Sequence, residues 1–249
     1  MDAHELGLLS ELGLDVLMEL DRAKVAEDFQ RLLFELVHHL KLKNVVYHCP
    51  NMPGHSLYEP YILLTYNREW IEHYRRSNYI YVDPIFKMGS HSLLPFDWNS
   101  IPKTEPRVVQ MFEESRAAGV GRQGVTIPIR GPENGIWALF SATTDDSDDA
   151  WPARKREILG SLISSAYYLH KRVYELHKNE DVIDFNAVTK RESEALSWVA
   201  EGKTIADVAV LMAISPETVK AHLDSARFKL GALNRVHAVT RAIRHGIIR

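Results

Sequence analysis

The chain has 249 residues, 45% apolar and 25% charged, a composition typical of globular proteins and a length that points to two domains rather than one. No apolar run approaches the ~18–20 residues of a membrane span, and the opening MDAHELGLLSELGLDVLMEL is acidic where a secretion signal is basic, so a cytoplasmic protein with no membrane partner is expected. A single cysteine, Cys49, excludes an internal disulfide framework and a cysteine zinc cluster and reads as a small buried hydrophobe; no metal or other cofactor is expected.

The first periodic segment, RAKVAEDFQRLLFELVHHL, places Val25, Phe29, Leu32, Leu33 and Leu36 on one helical face. KNVVYHC and YILLTY are short, β-branched or aromatic, and bounded by Pro, Gly and Asn, as strands are. Residues 67–77 return to helical spacing, and PRVVQMFEESRAAG is a helix closed by Gly119. Two β-like runs in GVTIPIRGPENGIWALFSATT flank a Gly-Pro-Glu-Asn-Gly turn and predict a hairpin. An acidic TDDSDDAWP loop then leads into a long helix from about Ala153 to about Lys178. This alternation predicts an α/β (α+β) first domain over residues 1–178, in which helices pack around a mainly antiparallel sheet. The stripe Leu159, Leu162, Ile163, Ala166, Leu169 and Val173 on the long helix either faces a second copy or packs within its own domain.

Residues 179–188 lack hydrophobic period and read as a linker, and the charge balance changes sign across them. Residues 185–249 carry 10 Lys and Arg against 6 Asp and Glu, whereas the remainder carries 20 against 27. The basic segment suits an anionic partner. Over 189–249 four helix starts are written in side chains: Thr189 with Glu192, Thr204 with Asp207, Ser215 before Pro216, and Asn234. Gly202, Gly231 and Gly246 mark helix ends, and Leu196, Val199, Ile205, Val208, Met212, Val219, Leu223, Leu230, Val236, Val239 and Ile243 supply a helical core. VAVLMAISPETVKAHL is a helix, a short turn and a capped helix, the pattern of a helix-turn-helix in an all-α four-helix domain. The outward face of the second helix carries Lys220, Ala221, Asp224, Ser225, Arg227 and Phe228. Lys203, Thr204, Thr218, Lys220, Arg227 and Arg235 are the candidate DNA contacts, mainly to phosphate, and Ala221 and Asp224 the candidates for base edges. TKRESEAL, GKT, SPETVKAHL and KLGALNR together resemble the DNA-binding domain of LuxR/FixJ-type regulators, which implies binding to double-stranded DNA. Many relatives carry a polar or basic residue where Asp224 stands. It either accepts from a cytosine amino group or is an exposed acid.

Within the first domain, YNREWIEHYRRSNYIYVDPIF gathers aromatic residues around one late carboxylate. Tyr66, Trp70 and Tyr74, at steps of four, predict one aromatic wall of a helix, and the Asp83-Pro84 pair favours extended backbone. Residue chemistry leaves two readings: an ordinary core with Asp83 capping locally, or a pocket in which Asp83 accepts from a ligand N–H. The same stretch, with LPFDW and AAGVGRQGVTIPIRGPENGIWALFS, resembles the autoinducer-binding domain of LuxR-type quorum-sensing regulators. That resemblance implies an N-acyl-homoserine lactone ligand. It implies that Trp70 donates to the lactone carbonyl, Asp83 accepts from the amide N–H, and Tyr66 and Ser141 donate to the acyl carbonyl. Tyr74 and Trp98 would form apolar walls, and Gly124 would permit close packing. Ile85, where some relatives have a hydroxyl, adds apolar volume, and Trp137 shares a strand face with Ser141.

The expected function is therefore a quorum-sensing transcription regulator that binds such a signal and, as a homodimer, a two-fold promoter site. The alternative is a LuxR-type DNA-binding regulator whose sensor domain does not respond to a ligand. Neither an HExxH nor a G-x-S-x-G motif is present, so an enzyme is not expected.

Overall fold

Phe29, Leu32, Leu33 and Leu36 form the buried face of α1, Ala26–His39, whose first turn is closed by Asp28 accepting from the Lys24 and Val25 N–H groups. This is a computed structural model, in which residues 19–53, 55, 59–131, 136–178 and 187–249 are described. The acidic N-terminal opening, the centre of the expected Gly-Pro-Glu-Asn-Gly turn and most of the expected linker lie outside the described residues. Val25, expected on the buried face, is exposed because it precedes the helix as its N-cap, with extended backbone.

Strands β1, Asn44–Cys49, and β2, Tyr61–Leu64, follow, then α2, Arg68–Arg76. Asn67 caps α2 by accepting from the Trp70 N–H at 2.8 Å. Tyr66 therefore stands ahead of the helix rather than on it, which corrects the three-residue helical wall expected from spacing. A 3-10 turn at Tyr79–Tyr81 leads to α3, Pro84–His91, then β3, Phe96–Asp97, another 3-10 turn at Trp98–Ser100, and α4, Pro106–Ala117. Gly119 follows α4 with φ +79°, the left-handed conformation that glycine adopts without strain. The hairpin strands β4, Gln123–Arg130, and β5, Trp137–Thr144, precede the long helix α5, Trp151–His177.

The strands form an antiparallel sheet in the order β2-β1-β5-β4-β3. Because strand side chains alternate, its two faces do different work. One face, with Tyr47, Ile127 and Phe140, is covered by α1 and α5; Leu32, Leu33, Leu36, Phe140, Ser165 and Leu169 meet around a void of only about 10 Å³. On α5, Leu162, Ala166, Leu169 and Val173 are buried in this layer of a single chain, so the stripe packs within its own domain; only Leu159 and Ile163 are half-buried. The opposite face, with Thr126, Leu139 and Ser141, is met by α3 and the Trp98 turn. At Gly89 of α3, an added Cβ would fall 2.4 Å from a Leu139 methyl, so the helix backbone lies directly on the sheet.

Two histidines of this unit, His170 buried and His48 half-buried, stand in apolar surroundings. Tyr47 Oη and His170 Nδ1 lie 2.7 Å apart, while His48 stacks on Phe86 at 5.1 Å. Burial lowers both imidazoles from 6.5 to about 4. Below pH 6.5 the unfolded chain thus binds more protons than the folded one, so stability present above that pH is lost as pH falls toward 4. For His170 this amounts to roughly 3 kcal/mol. Chemical unfolding from pH 7 to 4 should show the loss, and His170→Gln should flatten the slope; an unchanged slope would remove His170 as its cause.

Residues up to His177 other than 131–136 make the first unit, and Lys178–Arg249 belong to the second. Among its described residues the second has four α-helices: α6, Lys190–Ala200; α7, Ile205–Met212; α8, Pro216–Lys229; and α9, Arg235–Arg244. Thr189, Thr204, Ser215 and Asn234 each cap a helix by accepting an N–H three residues on, and Gly202, Gly231 and Gly246 take positive φ after helix ends. Leu196, Val208, Met212, Val219, Leu223 and Leu230 are buried together, with Val199, Ile205 and Val239 at the margin. Val236 and Ile243, expected in that core, are exposed. The small side chains Ala238 and Ala242 form the buried face of α9 instead, letting the helix approach closely, and Ile248 completes the core.

Candidate functional site

Both expected site regions are built by local capping chemistry. In the first unit Tyr66, Trp70, Tyr74, Ile85 and Trp98 pack in one cluster with Tyr79, Met88, Phe96, Met111 and Phe112. The Trp70 ring lies 5.9 Å from Tyr74 and 6.2 Å from Tyr79, in edge and tilted geometries. Its indole N–H has no hydrogen-bond partner among the described residues. Tyr79 Oη donates to Glu114 at 2.5 Å and His73 meets the same carboxylate oxygen at 2.6 Å, binding α2 and the following turn to α4.

Both oxygens of Asp83 have partners within the chain, as in the first of the two readings that residue chemistry left open, a local cap inside an aromatic core. Its Oδ1 accepts from the Ile85 N–H at 2.8 Å and caps α3, whereas Oδ2 accepts from Tyr74 Oη at 2.9 Å across the aromatic cluster. Burial raises the Asp83 carboxyl above its ordinary value, against the hydrogen bonds from Ile85, Tyr74 and Phe86 that lower it. Burial and the Asp83 charge raise the Tyr66 and Tyr74 phenols, keeping both as O–H donors.

Trp98 Nε1 donates to Thr126 Oγ1 at 2.9 Å, and Thr126 Oγ1 lies 2.8 Å from Ser141 Oγ. The Trp98 ring rests on Gly124, where an added Cβ would fall 2.2 Å from ring carbon Cδ2, so glycine is required by close approach. Trp137 does not join the cluster. It lies further along β5, 5.3 Å from Phe86 and 5.9 Å from the Arg130 guanidinium, in a separate stack. Thr126 is the polar residue that the sequence reading missed. The hairpin contained the signal, because pairing Arg130 with Trp137 sets Thr126 opposite Ser141.

In the second unit, Lys203, Thr204, Thr218, Lys220, Ala221 and Asp224 are exposed, and Arg227 and Arg235 are half-buried. Residues Ala213–Ser215 alone separate α7 from α8, fixing the angle between them. Thr204 and Thr218 spend their hydroxyls locally, on Asp207 at 2.6 Å and Ser215 at 3.0 Å. Arg227 donates to the Ala232 carbonyl at 3.2 Å, and Arg235 approaches Asp224 at 3.8 Å. Ser225, expected to face outward, instead donates to Glu192 at 2.7 Å. That carboxylate also accepts from the Thr189 N–H at 2.7 Å and from Lys229 at 2.9 Å through each oxygen. Burial would raise Glu192, but the bonds from Ser225, Lys229 and Thr189 prevail and hold it at about 2.

Among the described residues, no helix is long and apolar enough to cross a membrane, and no cluster of three or more His, Cys, Asp or Glu fits a metal ion. Residues 26–173 match the autoinducer binding domain family, and residues 186–242 match the luxR family of bacterial regulatory proteins. The transcriptional activator protein RaiR of Rhizobium etli is 33% identical over 190 residues, covering 76% of this chain and 78% of RaiR. The HTH-type quorum sensing-dependent transcriptional regulator RpaR of Rhodopseudomonas palustris is 34% identical over 184 residues, 73% of this chain and 72% of RpaR. A crystal structure of Escherichia coli SdiA aligns with TM-score 0.58 at 22% identity over 94% of this chain and 97% of SdiA, a likeness of fold. These relatives are regulators rather than enzymes, and with one family match spanning more than half of its length the chain belongs to the LuxR-type transcriptional regulators, with an autoinducer-binding domain followed by a helix-turn-helix DNA-binding domain.

Proposed function

We propose that this regulator is a cytoplasmic quorum sensor whose first domain, residues 1–178, encloses an N-acyl-homoserine lactone and, across the 179–188 linker, governs DNA binding by residues 189–249. The observation that carries this reading is the convergence of the Trp70 indole, the Asp83 carboxylate and the Tyr66 and Tyr74 hydroxyls on one aromatic cluster. A lactone amide presents one N–H and two carbonyl oxygens, and these groups supply one acceptor and several donors in apolar surroundings. In the proposal Trp70 donates to the lactone carbonyl and Asp83 accepts from the amide. Tyr66 and Ser141 donate to the acyl carbonyl, and Tyr74, Ile85 and Trp98 provide walls. Trp137, in its separate stack, lines the more distant acyl end.

As a homodimer, the protein would hold two half-sites of a two-fold promoter through α8, with Lys203, Thr204, Thr218, Lys220, Arg227 and Arg235 at phosphates and Ala221 and Asp224 toward base edges. Signal binding would act by mass action, since a ligand that binds only the folded state at 100 times its Kd stabilises it by about 2.7 kcal/mol. For a domain of this size that is a rise in melting temperature of roughly 5–10 °C. Melting the full chain with a panel of butanoyl to dodecanoyl and aromatic acyl-homoserine lactones tests the proposal. No shift with any member would favour a regulator whose sensor folds and works without a signal. SdiA has a solved complex with octanoyl-rac-glycerol, so that acylglycerol belongs in the panel as a probe without a lactone ring.

A further inference from the structure

The hydrogen-bonded chain from Trp98 through Thr126 to Ser141 has a direction, and the direction follows from what each group is able to do. An indole N–H only donates, so Trp98 Nε1 must place its proton on Thr126 Oγ1, 2.9 Å away. That occupies one lone pair of the Thr126 hydroxyl and leaves its own proton to be satisfied. Thr126 is fully buried, and the other partner of its hydroxyl among the described residues is Ser141 Oγ at 2.8 Å. Were Ser141 to donate in this contact, Thr126 would hold two incoming protons and its own O–H would be buried without an acceptor, which is expensive. Either direction leaves one hydroxyl proton for a further acceptor, but Thr126 is sealed at 0% exposure whereas Ser141 keeps 7%, so the less costly arrangement has Thr126 donating to Ser141 and the free proton on Ser141. Ser141, itself buried, then accepts from Thr126 and keeps its own proton for a third group.

From this we infer that Thr126 is a positioning residue for signal recognition: carrying the Trp98 proton, it obliges Ser141 to be an acceptor toward the sheet and a donor toward the ligand's acyl carbonyl. This rests on the lactone reading of the pocket. Thr126 never touches the signal in this scheme; it acts through the hydroxyl opposite it in the β4–β5 register. A serine free to rotate divides its proton between two acceptors, whereas an oriented one is prepaid in entropy before the signal arrives. Hydrogen bonds in a chain also polarise one another, so the oriented Ser141 is the stronger donor. The arrangement favours ligands with a carbonyl oxygen at this point over those with an N–H or a hydroxyl proton there.

The experiment uses the full chain and the member of the butanoyl-to-dodecanoyl homoserine lactone panel that binds wild type most tightly. Affinity is measured for wild type, Thr126→Val, Thr126→Ser, Ser141→Ala and the Thr126→Val/Ser141→Ala double variant. Thr126→Val keeps the shape and removes the hydroxyl, and should weaken binding about five- to tenfold, the range of one neutral hydrogen bond. Thr126→Ser should stay within about twofold of wild type, because the hydroxyl is restored. Ser141→Ala should weaken binding by a similar factor to Thr126→Val, and the double variant should be no worse than Ser141→Ala, since Thr126 acts only through Ser141. Wild-type affinity in Thr126→Val, or additive losses in the double variant, would overturn the assignment while leaving the lactone site standing. If no lactone binds wild type, the pocket reading falls and the assignment falls with it. Should Thr126→Val fail to fold, Thr126→Cys, with its weak donor, takes its place under the same expected and overturning results.

Discussion

Asp83→Asn is expected to reduce the affinity for the best acyl-homoserine lactone by roughly 10- to 100-fold, the range of a hydrogen bond to a buried charge. The variant is informative because the two oxygens of Asp83 have separate tasks. Oδ1 caps α3 through the Ile85 N–H, and an asparagine side-chain oxygen performs that task nearly as well. At the other position the amide presents N–H where Oδ2 accepts from Tyr74, and where the signal's own N–H is proposed to be received. Tyr74 Oη adapts by rotating its proton and accepting from the new amide, but a ligand N–H has no such freedom. The expected signature is a ligand-free melting temperature close to wild type with most of the lactone-induced rise lost. Should the rise persist undiminished in Asp83→Asn, the carboxylate is only a helix cap and the pocket chemistry proposed for it is wrong.

The second large effect lies in the DNA-binding domain. Removing Glu192 by substitution with alanine should destabilise that domain by about 2–3 kcal/mol, the range of lost hydrogen bonds to a buried charge whose half-buried partner Lys229 can still be hydrated. The carboxylate gathers the Thr189 N–H, the Ser225 hydroxyl and both hydrogen bonds from Lys229, joining α6 to α8. Without it, Lys229 is left half-buried beside Ser225 and the capping box of α6 loses its return hydrogen bond. A four-helix domain of this size has little stability to spare. Glu192→Ala should therefore abolish operator binding while lactone-dependent stabilisation of the first domain persists. Loss of both together would show that the two units do not fold separately. Glu192→Gln should be milder, since its oxygen still accepts while the charge paired with Lys229 is gone.

Much of this protein is written in local sequence. Thr189 with Glu192, Thr204 with Asp207, Ser215 before Pro216 and Asn234 set four helix starts, because an N-cap needs only a side-chain oxygen within reach of an N–H three residues on. Likewise the hairpin strands follow from two β-like runs, and the steps of four between aromatic residues made the pairing of Trp70 with Tyr74 legible, whereas Trp98 was placed beside them only by the family resemblance. What tertiary structure alone decided is which side of each group meets which neighbour. Tyr66 lies before α2 because Asn67 takes the cap, and Ser225 turns from the outer face of α8 toward a buried glutamate. The long stripe on α5 lies against the sheet, and two alanines displace Val236 and Ile243 from the core of α9. Periodicity reports that a face is apolar, not what covers it. The Trp98–Thr126–Ser141 chain needs, besides the hairpin register, a tryptophan seated on a glycine and bonded to a threonine 28 positions away, a contact that no local pattern encodes.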